Sequence, residues 1–139
     1  MSVHHGLVGL LSIHTGNRAG HTALAAGPDS FGFGLMEALA GLAERPGEPV
    51  LLVYGDEPLP DAYASFRTGD EAGLPLVVVL ALGAATEGER ALTMSAGPSG
   101  DGSSAPGMAA FEFLRFFLAG ADSAAAAGER MRWEWRRNA

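Results

Sequence analysis

Apolar positions recur near 3.6-residue spacing in some stretches and at period two, or in unbroken runs, in others. The chain therefore reads as mixed α/β. Met1 to Thr15 places Val3, Leu7, Leu10, Leu11 and His14 close to helical spacing, with Gly16 as its C-cap. His21 to Ala26 is a run of small and apolar residues long enough for a buried strand, and Gly27-Pro28-Asp29-Ser30 then breaks the chain. Asp29 or Ser30 is placed to cap a helix from Phe31 to Arg45, whose Phe31, Leu35, Leu39 and Leu42 share a face. Val50-Leu51-Leu52-Val53 is an unbroken apolar run of the kind found in strands buried on both faces. Strand, helix and strand in this order predict a parallel pair joined by a right-handed crossover.

Asp61 to Gly73 is polar and predicts a short helix and a turn, whereas Leu74 to Ala85 is the most strand-like stretch in the chain. A further strand is predicted over Ala91 to Ala96. Residues 97–107, rich in Gly, Ser and Pro, read as a mobile linker. A helix over Pro106 to Ala119 would line up Met108, Phe111, Leu114 and Leu118, with Glu112 and Arg115 able to pair three residues apart. Met131, Trp133 and Trp135 alternate with Arg132, Glu134 and Arg136, which predicts a strand with one apolar and one charged face. The organisation expected is one domain: an α/β core over 1–96, a linker over 97–107, and a helix and strand over 108–139 that complete it.

Composition narrows the chemistry. With no Cys, thiol catalysis, iron–sulfur clusters and Cys-based zinc sites are closed to the chain. All nine basic residues are Arg, so Schiff-base chemistry and a P-loop lysine are absent too. A net charge of −7 opposes general nucleic-acid binding. No apolar run is long enough to span a bilayer, and no signal-peptide pattern is seen, so a cytoplasmic setting is expected.

The remaining candidates are weak. His4, His5, His14 and His21 lack the spacing of a metal pair, so packed or solvated histidines are the preferred reading. Gly32-Phe33-Gly34 faintly suggests a dinucleotide fingerprint, but Glu37 stands where the third Gly belongs. The preferred reading is that small residues let this helix lie close to the sheet. Ser99 lacks the flanking glycines of a nucleophile elbow and is placed in a disordered loop. Asp56, Glu57 and Asp61 read as a solvated loop before an acid/base or cation site. The basic, aromatic tail from Glu129 onward is read as a charged edge strand, ahead of a docking strip for an acidic partner such as an acyl carrier protein.

One set of segments is more specific. Ser2-Val3-His4-His5-Gly6-Leu7-Val8-Gly9-Leu10-Leu11-Ser12-Ile13, Gly16-Asn17-Arg18, Thr22-Ala23-Leu24-Ala25-Ala26-Gly27 and Leu51-Leu52-Val53-Tyr54-Gly55-Asp56-Glu57-Pro58-Leu59-Pro60, with the closing Arg132-Trp133-Glu134-Trp135-Arg136-Arg137, are together similar to the β-ketoacyl synthase-like N-terminal domain family. The resemblance implies a partial thiolase-like layered α/β fold, the N-terminal half of a ketosynthase without its usual first strands. A sheet edge left open in this way would make the chain self-associate or need a partner. In this fold a catalytic ketosynthase carries its Cys at a strand-to-helix turn, where the helix dipole and backbone amides activate the thiolate and hold the oxyanion. The turn implied here is Gly27, Pro28, Asp29 and Ser30, with the nucleophile falling at or beside Pro28. Proline has neither a nucleophilic side chain nor an amide proton. The family has an acidic residue at this turn, and Pro28 followed by Asp29 departs from that.

What the resemblance implies is a non-catalytic, chain-length-factor-like partner of an active ketosynthase. Such a chain would act in fatty-acid-type or aryl polyene elongation. Thr22, Leu24 and Ala26 would lie at the partner interface, and Phe31, Phe33 and Leu35 would face the acyl chain. No cofactor or metal is implied, because acyl groups would arrive on the phosphopantetheine arm of a carrier protein. The alternatives are a small serine-dependent acyltransferase or hydrolase using Ser30 or Ser12 with His14 or His21, or a purely structural fragment.

Overall fold

The computed structural model describes residues 6–57, 60–66, 75–86, 88–100 and 109–138. The elements run α1 (Gly6–Thr15), α2 (Ser30–Glu44), β1 (Val50–Asp56), β2 (Leu76–Leu82), β3 (Leu92–Pro98), α3 (Ala109–Ala119), β4 (Ser123–Ala127) and β5 (Met131–Arg137). Short 3-10 turns lie at Gly27–Asp29 and Asp61–Phe66. Val3, His4, His5, Pro58, residues 67–73, the greater part of the expected linker (101–107) and Met108 fall outside the described residues.

Two sheets form. β1 and β2 pair antiparallel with Val53 opposite Val79, and the second sheet has the order β3-β5-β4, antiparallel throughout. The parallel strand-helix-strand unit expected from the sequence does not form, because His21 to Ala26 is not a strand among the described residues and the partner of β1 is β2. Nor is β1 covered on both sides. Leu52 and Tyr54 face the core, whereas Leu51 and Val53 point outward.

The period-two segment at the end of the chain is a strand as expected, but a central one rather than an edge. Its apolar face explains why: Trp133 and Trp135 are 0% and 1% exposed. Two indoles of that size need cover from helices and flanking strands. Phe113 meets the Trp135 ring edge-on at 5.4 Å, and Phe33 meets Trp133 at 5.1 Å. Phe31 adds an edge contact to Tyr54 and a tilted one to Phe113. One core thus joins α2, α3, β2, β4 and β5.

Helix α3 turns a different face inward from the one expected. Ala109, Ala110, Phe113 and Phe116 are buried, while Phe111 and Leu118 are exposed. This helix carries two apolar stripes, and the one that stacks on Phe31 and Trp135 is the one buried. The Glu112–Arg115 pair does form, at 3.1 Å on the surface. Strand β4, Ser123–Ala127, has no counterpart in the sequence expectations, and β3 continues through Gly97 and Pro98 into the stretch read as linker.

Helix α2 lies hard against β5. Gly32 is buried, and a methyl group there would fall within the indole of Trp133. The small residues near the start of this helix serve close packing, as expected. Gly32→Ala is expected to lower stability by about 1–3 kcal/mol, the usual cost of overpacking a filled core. Gly47, where an added methyl group would meet nothing within 4 Å, is the control. Urea denaturation of Gly32→Ala and Gly47→Ala should show a lower midpoint for the first alone.

Candidate functional site

The site implied by the resemblance is the turn that leads into α2. Gly27 has φ +59, a left-handed conformation that glycine adopts without strain. Pro28 follows in the first turn of the 3-10 segment, where its fixed φ fits and its missing N–H costs nothing. The hydroxyl of Ser30 folds back over this turn. It accepts from Ala26 N at 2.8 Å and donates to Gly27 O at 2.7 Å. Its proton is therefore held by a backbone carbonyl rather than by an imidazole, which disfavours Ser30 as a nucleophile.

Asp29 occupies the N-cap position of α2 yet makes no capping bond with its side chain. The carboxylate turns inward instead and is 0% exposed. Oδ1 accepts from Trp133 Nε1 at 3.2 Å, and Oδ2 accepts from the backbone N–H of Arg130 at 2.9 Å. The Arg130 side chain adds an ion pair, Nε to Oδ2 at 3.6 Å, and a hydrogen bond from a terminal nitrogen to Ala26 O at 3.3 Å. The same guanidinium sits 5.6 Å from the centre of the Phe33 ring. A buried charge is tolerable when it is paired and its acceptor sites are filled, which is the arrangement here.

The second half of this clasp is the β4–β5 hairpin. Gly128 N donates to Met131 O at 2.7 Å to close the hairpin. A methyl group on Gly128 would occupy the place of Asp29 Oδ1, so the carboxylate seats against bare backbone. Ser99 bonds the same hairpin through its N–H to Arg130 O, 3.0 Å, and its hydroxyl to Gly128 O, 3.3 Å. It extends the β3–β5 ladder and does not lie in a free loop. The sequence offers Asp29 as a cap and as a member of the implied turn, but its partners Arg130 and Trp133 lie far along the chain, where no local pattern links them.

The other sequence candidates are dispersed. Thr22 and Leu24 are exposed and Ala26 half-buried, on an extended segment before the turn. Phe31 and Leu35 sit in the hydrophobic core, leaving Phe33 as the member of that trio with a partly exposed ring. His14 and His21 are exposed and Ser12 is half-buried on α1. Asp56, Glu57 and Asp61 are all exposed, and among the described residues no group of three or more His, Asp or Glu converges to hold a metal ion. No helix among them is long and apolar enough to cross a membrane.

Outside the turn, among the described residues, Tyr54 is the group whose titration is moved furthest. Tyr54 donates its hydroxyl to Asp56 Oδ2 at 3.2 Å. Burial, then the negative charge of Asp56, pushes its pKa up from 10.0 to about 12.

The mixed α/β arrangement of two small sheets and their covering helices matches the partial thiolase-like fold of the ketosynthases, as comparison with known proteins shows. Residues 1–136 match the beta-ketoacyl synthase, N-terminal domain, and the chain belongs to that family. A solved structure of a ketosynthase, ApeO, in complex with its chain length factor, ApeC, from Xenorhabdus doucetiae contains a chain that superimposes with a TM-score of 0.80 at 28% identity. The match covers 99% of the present chain and 55% of that one, so the present chain spans about half its length. No curated protein matches the chain in sequence.

Asp29→Asn should cost about 1–3 kcal/mol, because an amide presents one acceptor oxygen where two donors converge and leaves Arg130 without its charge partner. Thermal unfolding with tryptophan fluorescence reports it, since Trp133 is one of the two donors. For Tyr54 the folded chain keeps a proton that the unfolded chain gives up above pH 10. The stability from this difference is full below pH 10 and is lost as pH rises toward 12. Urea midpoints measured across that window should fall in the wild type and fall less in Tyr54→Phe.

Proposed function

We propose that this chain is a non-catalytic, chain-length-factor-like subunit that pairs with an active ketosynthase in fatty-acid-type or polyene acyl chain elongation. The observation that carries this reading is the turn before α2. On this reading the ketosynthase nucleophile would fall at or beside Pro28, a residue flanked by a carboxylate turned into the core and a hydroxyl bonded to its own backbone. There is no Cys anywhere in the sequence to replace it. The solved relative described above, a ketosynthase bound to its chain length factor, supports the choice of partner.

On this reading Thr22, Leu24 and Ala26 form the strip that meets the ketosynthase. Leu24 is 42% exposed although apolar, and the segment around it has no strand partner of its own among the described residues. Phe33 is the side chain best placed to touch an acyl chain at the rim of the turn, while Phe31 and Leu35 would act behind it by fixing α2. The acyl groups would be delivered by an acyl carrier protein in the cytoplasm, and the chain itself would need no cofactor.

Co-expression with the ketosynthase encoded nearest to it, followed by light scattering on the purified material, tests the proposal. A one-to-one complex is expected, and Leu24→Asp should abolish it while leaving the chain folded by circular dichroism. A ketosynthase that elutes alone beside a soluble chain would reject the partner role in favour of a purely structural one.

A further inference from the structure

The side chain of Arg130 reaches three separate parts of the structure around the turn. Its Nε pairs with Asp29 Oδ2 at 3.6 Å, a terminal nitrogen donates to Ala26 O at 3.3 Å, and the guanidinium lies 5.6 Å from the centre of the Phe33 ring. The side chain is 60% exposed, and Asp29 has two further donors in Trp133 Nε1 and the Arg130 amide. Any cation in this place would serve the Asp29 charge. Reaching Ala26 and Phe33 at the same time calls for a planar fork of donors, which an ammonium on a flexible stem does not offer.

The groups held by this fork belong to the two sides of the proposed site. Ala26 ends the Thr22–Ala26 strip, and its backbone is gripped from both directions. Its N–H donates to Ser30 Oγ at 2.8 Å, while its carbonyl accepts from Asp29 N at 3.3 Å as well as from Arg130. Phe33 stands on the opening turn of α2 with its ring half-buried. Trp133 meets that ring edge-on at 5.1 Å, and the Arg130 guanidinium lies over it. A side chain bounded by two such neighbours keeps one rotamer, and losing either gives it room to turn. One planar group thus ties the end of the strip to the ring.

We infer that Arg130 is a positioning residue for the acyl-facing wall: it locks the Phe33 ring to the end of the Thr22–Ala26 strip. With the ketosynthase docked on that strip, the ring then stands at one place against the acyl chain and helps to set the length the pair accepts. This rests on the chain-length-factor-like reading given above. Arg130 itself touches no substrate on this account and acts through Phe33.

The test uses the chain co-purified with the ketosynthase encoded nearest to it, supplied with carrier-bound acyl groups, with products sorted by length in a mass spectrometer. Arg130→Lys keeps a cation beside Asp29 and should leave the urea midpoint and the one-to-one complex unchanged. The ratio of the longest product to the next shorter one should change about two- to fivefold, the factor that an exposed cation–π contact is worth. Arg130→Gln should change it at least as much, and serves as the second variant if the lysine chain misfolds. In a Phe33→Leu background Arg130→Lys should have no further effect, because the ring it positions is gone. An unchanged ratio with the complex intact overturns the inference and leaves the partner reading standing. So does an equal change in both backgrounds, which would make Arg130 act elsewhere. A complex lost in Arg130→Lys alone overturns it too, since Arg130 would then be a contact of the interface itself. A wild type that forms no complex rejects the partner reading, and this inference with it.

Discussion

The carboxylate of Asp29 is the interaction on which the geometry before α2 depends. It lies wholly inside the protein and meets Trp133 Nε1, the backbone of Arg130 and the Arg130 guanidinium. Removing one partner from a buried, hydrogen-bonded charge pair is far more damaging than never having had the pair. The surrounding sequence therefore has little freedom. Gly128 leaves the space the carboxylate fills, Gly32 lets α2 approach Trp133 closely enough for the bond, and Gly27 lets the chain turn into the 3-10 segment. The turn is thus organised around a side chain that points inward.

The same logic of capping from a distance recurs at the other end of the core. Arg137, in β5, donates to Ala121 O at 2.9 Å and to Phe117 O at 2.8 Å, two carbonyls at the C-terminal end of α3. Its guanidinium also rests on the rings of Phe116 and Phe117, at 5.1 and 5.4 Å. A cation is favourable there because carbonyls at a helix C-terminus lack intrahelical donors and carry partial negative charge. Strand β5 thus ties down both helices of the core: Trp133, with Arg130 just before the strand, holds the start of α2, and Arg137 holds the end of α3. The arginines of this segment read on sequence as a charged edge, and two of them are structural.

Much of this was legible in the residues, and the failures share a cause. Helix α2 was visible because its Phe31, Leu35 and Leu42 spacing and its Pro46-Gly47 stop are local signals. The alternation around Trp133 and Trp135 identified β5 for the same reason. Strand β4 was invisible because four consecutive alanines have high helix propensity, and only pairing with Trp133 and Trp135 on β5 makes them a strand. The inward face of α3 was misread because both of its stripes are apolar, and a periodicity cannot say which of two will meet an aromatic partner. The turn was located by resemblance, but its clasp was hidden because Asp29 and Arg130 are separated by 101 positions.

That separation also sets the order in which the molecule can assemble. Joining positions so far apart carries a large loop-closure entropy, which contacts of this kind must overcome before they add any stability. Helix α2 and the β1–β2 ladder can form from nearer neighbours, whereas the Asp29 carboxylate lacks the Arg130 and Trp133 donors until the β4–β5 hairpin is in place. The seating of that carboxylate is thus a late event in folding. A chain interrupted before β5 would leave β3 and β4 without the strand they pair with and Asp29 without its indole donor.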